Sequence, residues 1–475
     1  MKNNYRYYLI ILTFMLLQLN TRAQSGIELT GIWEGNLVIN PSVELPIVFK
    51  FEKNEEGNYD CKMDSPSQGA KDIPTESVTL IDDSVIVDVK VIAGSYSGKI
   101  DRENFQINGK WSQGGQSFDL IIKKVEKATS LNRPQEPKEP FPYNSEEVFF
   151  ENKTDKIFLA GTLTFPKEGN NFAAAVLITG SGPQNRDEEL LGHKPFLVLS
   201  DHLTRNGYAV LRFDDRGVGE SEGDFKSATT EDFAKDVLAA VEYLKTRKEI
   251  DHKKIGLIGH SEGGIIAPMA AIQNKEIAFI VLLAGTGLPG EEILYLQSRL
   301  IEEAGGTPEE DIQRSLEFSS VIYDAIKNSG DFVVAENRIK EYFWREYMEM
   351  TDEDKQKIGD PEVFLDMHLR VTLTPWIKFF LTYDPALALE KVKCPVLAII
   401  GEKDLQVPPK ENLPAIEEAL KRGGNKNFTV KELPGLNHLF QTAETGSPLE
   451  YGKIEETISP LALDTITKWL QENIK

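Results

Sequence analysis

The stretch Ile255-Gly256-Leu257-Ile258-Gly259-His260-Ser261-Glu262-Gly263-Gly264 carries the strongest structural signal in this chain. Its apolar first half predicts a strand that is buried on both faces, and the residues after it predict a sharp turn into a helix. Such a turn strains the backbone of Ser261 and lifts its hydroxyl clear of the sheet edge. Gly259 and Gly263 leave room for the strand and the helix to pass in contact. Because the positive end of the helix points toward the hydroxyl, the stretch predicts a nucleophilic serine.

A serine nucleophile needs a base that takes its proton and an acid that orients the base. Among the six histidines, His438 alone lies after the last predicted strand, so we expect it to be the base. Asp404 follows the second-last predicted strand and is the expected acid, with Glu402 as its neighbouring competitor and Asp384 as a distant one. His260 adjoins the serine, but the turn directs it into the scaffold.

Four motifs resemble those of the α/β-hydrolase superfamily, in particular its bacterial esterase and serine-aminopeptidase-like branch. They are Gly-His-Ser-Glu-Gly-Gly at 259–264, Gly-Glu-Lys-Asp at 401–404, Asn-His-Leu-Phe at 437–440 and Asp-Asp-Arg-Gly-Val-Gly-Glu-Ser at 214–221. The order Ser261, Asp404, His438 is also the order of that superfamily, and it differs from the order in chymotrypsin-like and subtilisin-like proteases. The resemblance covers residues from about 146 to 475. It implies a catalytic triad of these three residues, with the 214–221 loop as structural support.

An oxyanion intermediate requires two backbone N–H donors beside the serine. The resemblance implies that Glu262, directly after the nucleophile, supplies one donor and that the loop after the third strand supplies the other. In that loop Ser181 aligns with the donating position, although Thr179 stands where the family usually has histidine. Gly182 or Gln184 could donate instead.

Three charged side chains near these donors each have two interpretations. The carboxylate of Glu262 is expected to point away from the serine as a helix-start acid, and the alternative is that it holds the ammonium group of a substrate. Arg186 and Asp187 either line the pocket or form a surface turn.

The C-terminal part of the chain alternates apolar, strand-like runs with helical stretches, which predicts a mostly parallel sheet with helices on both sides. From about 288 to 387 only helices are predicted, and aromatic residues are concentrated there. An all-helical insert between two strands predicts a lid, and the alternative is that the aromatics only attach the insert to the sheet. The predicted strands are 173–179, 208–213, 255–259, 278–284, 395–401 and 428–433, and the predicted helices include 196–206 and 230–248.

Residues 27–126 have a different pattern, in which short segments alternate apolar and polar residues between turn formers. This pattern predicts a small all-β domain, either a lipocalin-like barrel or a sandwich. Gly-x-Trp sequences at 31–33 and 109–111 resemble those of lipocalin-like barrels, and their tryptophans are expected in the core. The proline-rich residues 127–145 predict an extended linker or, alternatively, a strap packed on one domain. The predicted hydrolase domain is then 146–475.

The N-terminus predicts secretion. Lys2 and Arg6 precede an apolar run at 9–17, and polar and small residues follow, which is the order of a signal peptide cleaved after Ala23. The run is too short for a membrane span, which needs about 20 apolar residues. We therefore expect a periplasmic or secreted mature protein that has no membrane span once residues 1–23 are removed. An uncleaved anchor is the alternative.

Composition limits the partners. The net charge of −22 repels phosphate backbones, so no nucleic-acid partner is expected. Cys61 and Cys394 cannot form a disulfide framework, and no cysteine or histidine spacing is typical of a zinc site. The predicted chemistry requires neither a metal nor an organic cofactor. The sequence leaves the oligomeric state open.

These features predict a secreted serine hydrolase that cleaves carboxylic esters through an acyl-serine intermediate. Small or medium acyl groups would enter under the aromatic lid. A serine aminopeptidase or other short-peptide hydrolase is the second interpretation, and a non-catalytic glycan- or protein-binding module on a hydrolase scaffold is the third. The expected partner is accordingly a small ester or a short peptide.

Overall fold

The computed structural model describes residues 28–40, 43–114, 116–129 and 132–474. The predicted signal peptide at 1–23 lies outside the described residues. Within those described ranges, no helix combines the length and the apolarity that a membrane span requires.

The N-terminal part forms one antiparallel sheet of nine strands in the order β4-β3-β2-β1-β9-β8-β7-β6-β5. Most consecutive strands pair as hairpins, and the first strand also pairs with the ninth, where Ile32 lies opposite Val125. This single curved sheet is a half-barrel, so of the two predicted all-β forms the structure has the barrel-like one. Its strands are β1 (Gly31–Asn40), β2 (Val43–Lys53), β3 (Tyr59–Ser65), β4 (Ala70–Pro74), β5 (Ser77–Ile81), β6 (Ser84–Val89), β7 (Gly94–Asp101), β8 (Gln106–Gln113) and β9 (Gln116–Val125).

The half-barrel has a hydrophobic core of its own because apolar residues alternate along its strands. Trp33 and Trp111, from the two Gly-x-Trp sequences, are both buried in that core, as predicted. The indole of Trp33 donates to the carbonyl of Leu29 at 2.7 Å. The hydroxyl of Tyr96 lies 3.1 and 3.2 Å from two backbone carbonyls of β8 and β9, so the large polar groups of the core are hydrogen-bonded.

The proline-rich stretch after the half-barrel packs along the C-terminal part of the chain. The guanidinium of Arg133 donates to backbone carbonyls of two separate segments at 2.8–3.3 Å. The side chain of Gln135 accepts the N–H of Thr457 at 2.6 Å and donates to the carbonyl of Ile458 at 2.6 Å. The stretch is therefore a packed strap. The carbonyls bound by Arg133 are those of Leu191, Gly192, Gly452 and Ile454.

The C-terminal part is built on a second sheet of eight strands in the order β10-β11-β13-β12-β14-β15-β16-β17. The first two strands form an antiparallel hairpin at one edge, and the other six are parallel. The strands are β10 (Asn144–Asn152), β11 (Ile157–Phe165), β12 (Phe172–Ile178), β13 (Ala209–Phe213), β14 (Ile250–His260), β15 (Ile280–Leu283), β16 (Val396–Gly401) and β17 (Phe428–Leu433).

Helices cover both faces of this sheet, and each face has its own hydrophobic core. Phe196 and Trp469 bring two helices onto one face. Val237, Ile266 and Ile416 bring three helices onto the other. The predicted fold class, an α/β-hydrolase sheet preceded by an all-β part, is therefore confirmed. These helices are α1 (Pro195–Arg205), α2 (Thr230–Leu244), α3 (Gly263–Gln273), α11 (Pro409–Arg422) and α12 (Pro460–Asn473).

Between β15 and β16 the described chain contains helices and no strand, as predicted for 288–387. These helices form the lid segment, and they enclose a small core that includes Ile326, Phe343 and Leu369. Helix α9 joins this core to the sheet, because Leu381 lies in the lid core and Phe380 in a core of the sheet. The helices of the lid segment are α4 (Gly290–Ala304), α5 (Glu309–Asn328), α6 (Phe332–Glu349), α7 (Asp352–Ile358), α8 (Pro361–Thr372), α9 (Pro375–Thr382) and α10 (Ala386–Leu389).

Candidate active site

The turn after β14 has the strained geometry that the sequence predicts. Ser261 has a φ of +52°, in the left-handed region that a non-glycine residue rarely adopts. A Cβ on Gly259 would lie 2.0 Å from the carbonyl oxygen of Gly263, and a Cβ on Gly263 would lie 2.2 Å from that of Ile178. Glycine is therefore required at both positions. The turn carries Ser261 to the carboxyl edge of the sheet, just before α3 begins.

Asp404 and His438 meet at the same edge of the sheet. His438 Nδ1 lies 2.8 Å from Asp404 Oδ2, and both residues are buried. The other oxygen of Asp404 accepts two backbone N–H groups of the following turn, each at 2.8 Å, so the carboxylate is fixed in orientation. The two competing acids are engaged elsewhere: Glu402 accepts the N–H of Gly435, and Asp384 accepts an N–H at the start of α10.

The loop that carries His438 is held by its neighbour Asn437. The side-chain oxygen of Asn437 accepts the N–H groups of Leu439 and Gln441 at 3.1 and 2.9 Å. The amide nitrogen of Gln441 in turn lies 2.9 Å from a ring nitrogen of the buried His193. The position of the His438 ring is thus set by its loop as well as by Asp404.

His260 connects the serine turn to the loop that carries His438. His260 directly precedes Ser261, and its Nε2 lies 3.0 Å from the backbone carbonyl oxygen of His438. The centroids of the two imidazole rings are 4.9 Å apart. Neither the Ser261 hydroxyl nor His438 Nε2 has a hydrogen-bond partner among the described residues, so both are open to a substrate or to each other.

The loop after β12 passes directly beside Ser261, because a Cβ on Gly180 would lie 3.3 Å from the Cβ of Ser261. Within this loop the Gln184 N–H donates to Asp215 Oδ2 at 2.9 Å. Gln184, one of the three predicted alternatives, is therefore already engaged. The N–H groups of Ser181, Gly182 and Glu262 have no acceptor in the described part of the chain.

Asp215 holds both ends of this loop. Its Oδ1 accepts the hydroxyl of Thr179 at 2.7 Å, and its Oδ2 accepts the N–H of Gln184. Burial raises the pKa of Asp215 well above the ordinary value, against the opposing effect of these two hydrogen bonds. Thr179, the departure from the family pattern, thus has a defined role as a hydrogen-bond donor to Asp215.

Arg186 and Asp187 are used in ion pairs. Arg186 pairs with Asp214 at 2.7 Å and also donates its backbone N–H to that carboxylate at 2.8 Å. Asp187 pairs with Arg212 on β13, which is largely buried. Both residues therefore shape the loop after β12, and the 214–221 loop supports it as the sequence predicts.

Glu188 links the same loop to the serine turn. One oxygen, Oε1, accepts the N–H of Gly180 at 2.8 Å and lies 2.9 Å from His260 Nδ1. Burial lowers the pKa of His260, but the charge and hydrogen bond of Glu188 outweigh that effect and raise the pKa above its usual value. His260 is thus directed into the scaffold, as expected, where it contacts Glu188 and the His438 carbonyl.

The carboxylate of Glu262 does not cap its own helix. Its Oε1 accepts the hydroxyl of Thr230 on α2 and the indole N–H of Trp376 on α9, each at 2.7 Å. Burial raises the pKa of Glu262 to about 7, and the hydrogen bonds from Trp376 and Thr230 oppose that shift. The side chain is therefore buried between α2 and the lid segment.

Sequence reasoning did not assign roles to Asp215, Glu188 or Trp376. Asp215 lies in the 214–221 motif, which was predicted to give structural support. Its position directly before Arg216 in that motif was the one feature that could have indicated a role for it. Trp376 was one of the lid aromatics. Glu188 has no motif around it, and no sequence pattern would have paired it with His260.

Comparisons with known proteins find a family model, relatives and solved structures that are similar to parts of this chain. Residues 195–313 match the family model described as serine aminopeptidase, S33. The chain is 26% identical to the esterase EstD of Thermotoga maritima over 378 residues, which covers 79% of each protein. It is 29% identical to human dipeptidyl peptidase 8 over 185 residues, 37% of this chain and 20% of that protein. Among solved structures, the Pyrococcus furiosus esterase Pf2001 covers 70% of this chain and 94% of its own, at 16% identity and a TM-score of 0.41.

The sheet order and the serine turn are those of an α/β-hydrolase fold, and the chain is similar to esterases and to the serine aminopeptidase family. At this level it is a hydrolase. Its relatives include both an esterase and a peptidase.

Proposed function

We propose that this protein cleaves carboxylic esters through an acyl-serine intermediate, with Ser261 as nucleophile, His438 as general base and Asp404 as the residue that orients the base. The observation that carries the proposal is the buried Asp404–His438 pair, at 2.8 Å, beside the strained turn of Ser261. The similarity to the esterase EstD over 79% of both chains supports the ester as substrate class.

The reaction follows from the positions of these groups. His438 Nε2 takes the hydroxyl proton as Ser261 Oγ attacks the ester carbonyl carbon, and the carbonyl electron pair moves onto the oxygen. The N–H groups of Glu262 and Ser181 hold that oxyanion, with Gly182 as the alternative second donor. His438 then gives its proton to the departing alcohol. A water molecule then loses a proton to His438 and attacks the acyl-serine. The oxyanion that results collapses, the bond to Ser261 Oγ breaks, and Oγ takes the proton back from His438 as the carboxylic acid is released.

The test is turnover of p-nitrophenyl butyrate by the wild type and by Ser261→Ala. We expect the variant to lose at least about three orders of magnitude in kcat, as loss of a serine nucleophile does elsewhere. Ser112→Ala, an exposed serine on the half-barrel, is the matched control and should keep full activity. Retention of turnover within about tenfold in Ser261→Ala would exclude the proposed mechanism.

A peptidase is the second candidate, favoured by the family model and by the similarity to dipeptidyl peptidase 8. An amine terminus would need an open carboxylate, and Glu262 was the sequence candidate. Its buried carboxylate is engaged by Trp376 and Thr230, which favours the ester. Aminoacyl p-nitroanilides compared with p-nitrophenyl butyrate separate the two. Faster turnover of the anilides would favour the peptidase.

We also propose that residues 1–23 are a cleaved signal peptide and that the mature protein works in the periplasm or outside the cell. The proposed division is an all-β domain at 27–126, a strap at 127–145 and a hydrolase domain at 146–475, since the half-barrel and the second sheet have separate cores. N-terminal sequencing of exported protein tests the cleavage. A mature chain that begins at Met1 would refute it.

A further inference from the structure

The Glu262 side chain connects three elements around the candidate nucleophile. Glu262 follows Ser261 directly, and its backbone N–H is one of the proposed oxyanion donors. Its carboxylate accepts hydrogen bonds from Thr230 at the first turn of α2 and from Trp376 on α9 of the lid segment, both at 2.7 Å. Glu262 therefore belongs to the serine turn and contacts both a helix that flanks the sheet and the lid segment.

The contact with Trp376 has no equivalent elsewhere in the lid segment. In the described chain, it is the one side-chain hydrogen bond that joins helices α4–α9 to the sheet or to the helices that flank the sheet. The indole of Trp376 also stacks on Phe380, with ring centroids 5.1 Å apart, and Phe380 lies in a core of the sheet. The next residue, Leu381, lies in the lid core. Helix α9 is thus the junction between the lid and the sheet.

The Glu262 carboxyl has no cationic partner among the described residues. Burial raises its pKa, and the hydrogen bonds from Trp376 and Thr230 act against that rise. The charge of Glu262 also raises the pKa of another acid, Asp215, in addition to the effect of Asp215's own burial. A carboxyl group buried without a cation destabilises a fold, so packing alone would be better served by an apolar side chain. Its presence indicates a functional role.

We propose that Glu262 is a positioning residue: by holding Trp376 and Thr230, its carboxylate seats lid helix α9 on the turn that carries Ser261 and keeps its own backbone N–H aimed at the oxyanion. This inference rests on the proposed esterase function. Because the N–H acts on charge that develops only in the transition state, loss of the anchor reduces kcat more than it raises KM.

The decisive variant is Trp376→Phe, which keeps an aromatic ring for stacking and removes the indole N–H. With p-nitrophenyl butyrate, we expect kcat to fall by about tenfold while KM stays within about twofold. The reason is that the hydrogen bond from Trp376 to Glu262, which positions the Glu262 N–H, is lost. Glu262→Ala should lose at least as much, and Glu262→Gln, which retains an acceptor oxygen, should restore most of that loss. Addition of Trp376→Phe to Glu262→Ala should cause no further loss, because both remove the same contact.

Trp344→Phe is the matched control, because Trp344 lies in the same lid segment and contacts Phe343 and Tyr347 instead of Glu262. It should keep wild-type kcat and KM. The inference is overturned if Trp376→Phe keeps kcat within about twofold, or if KM alone changes. If wild-type turnover does not depend on Ser261, the proposed function fails first and this inference with it. A Ser261-dependent enzyme that is indifferent to Trp376→Phe refutes the inference alone.

Discussion

Asp404 is fixed by three hydrogen bonds, one from His438 and two from backbone N–H groups, whereas the carboxylate of Glu402, two residues earlier, accepts the N–H of Gly435. Asp404→Asn should therefore preserve the fold but present the wrong partner to His438 Nδ1, with a loss of about 10³–10⁴ in kcat. Glu402→Gln should stay within about threefold of the wild type in the same ester assay, because it touches neither His438 nor Ser261. Equal losses in both variants would contradict the assignment of the acid.

Glu262 predicts a pH dependence of stability. Its pKa in the folded protein is raised to about 7, from 4.5, because it is buried. The unfolded chain therefore loses this proton at lower pH than the folded protein. The unfolding free energy is therefore highest below about pH 4.5 and falls, by on the order of 3 kcal/mol in total, as the pH rises through about 7, because ionisation of the buried carboxyl is unfavourable in the folded protein.

The matched comparison is Glu262→Gln, which cannot ionise. Relative to this variant, the wild type should lose unfolding free energy between pH 4.5 and 7 and change little below that window. Urea unfolding of both proteins across that range measures the difference. A difference that is constant with pH would contradict the raised pKa.

The roles of Ser261, His438 and Asp404 are predictable from sequence because each stands at a fixed offset from the end of an apolar strand run. The contact between Glu262 and Trp376 is not, since 114 positions separate the two residues and only the packing of α9 brings them together. The same is true of Glu188 and His260, which are 72 positions apart. Local pattern identifies residues at strand ends, and it does not identify their tertiary hydrogen-bond partners.

At the scale of secondary structure, the turn between β14 and α3 depends on glycine. A Cβ on Gly259 would lie 2.0 Å from the carbonyl oxygen of Gly263, a backbone atom that cannot rotate away. Gly259→Ala should destabilise the protein by more than about 3 kcal/mol, since the strand or the helix would have to move. Thermal unfolding measures the loss.

Gly330→Ala is the control for that substitution. Gly330 lies between α5 and α6, and a Cβ there has open space around it. The unfolding free energy of the Gly330→Ala variant should differ from that of the wild type by no more than about 0.5 kcal/mol. Similar losses in both variants would show that the close approach at the serine turn does not determine stability.

The six parallel strands of the second sheet were the easiest to predict. The strand expected at 395–401 matches β16, which is buried at every position, and the strand expected at 428–433 matches the edge strand β17. The others match within a few residues. The hairpin of β10 and β11 was not singled out. In β10, buried and exposed positions alternate because it is the edge strand, so its apolar residues do not form a continuous run. The sequence Thr307-Pro308-Glu309-Glu310 has the spacing of a capping box, which predicts a side-chain cap on Thr307, but this prediction is wrong: α5 begins at Glu309 after Pro308, with no side-chain cap.

At the scale of the whole molecule, Arg133 fastens the strap to two segments of the C-terminal part. Burial lowers the pKa of Arg133, and the four carbonyls that it binds in the C-terminal part take the place of water. Arg133→Ala would leave those carbonyls without their donor and should reduce the unfolding free energy by about 2–4 kcal/mol. Arg314→Ala, which removes ion pairs of an exposed arginine with Asp311 and Asp354, should change the unfolding free energy by less than about 1 kcal/mol. Comparable values would mean that the strap does not stabilise the molecule.

The central claim is that this protein has one reactive serine, Ser261. The most direct measurement is labelling of the folded wild-type protein with a fluorophosphonate, followed by peptide mass spectrometry. We predict a single covalent adduct on Ser261, and slower labelling in Asp404→Asn, since the nucleophile is activated through His438. An adduct on another serine, or folded protein that does not label, would contradict the account.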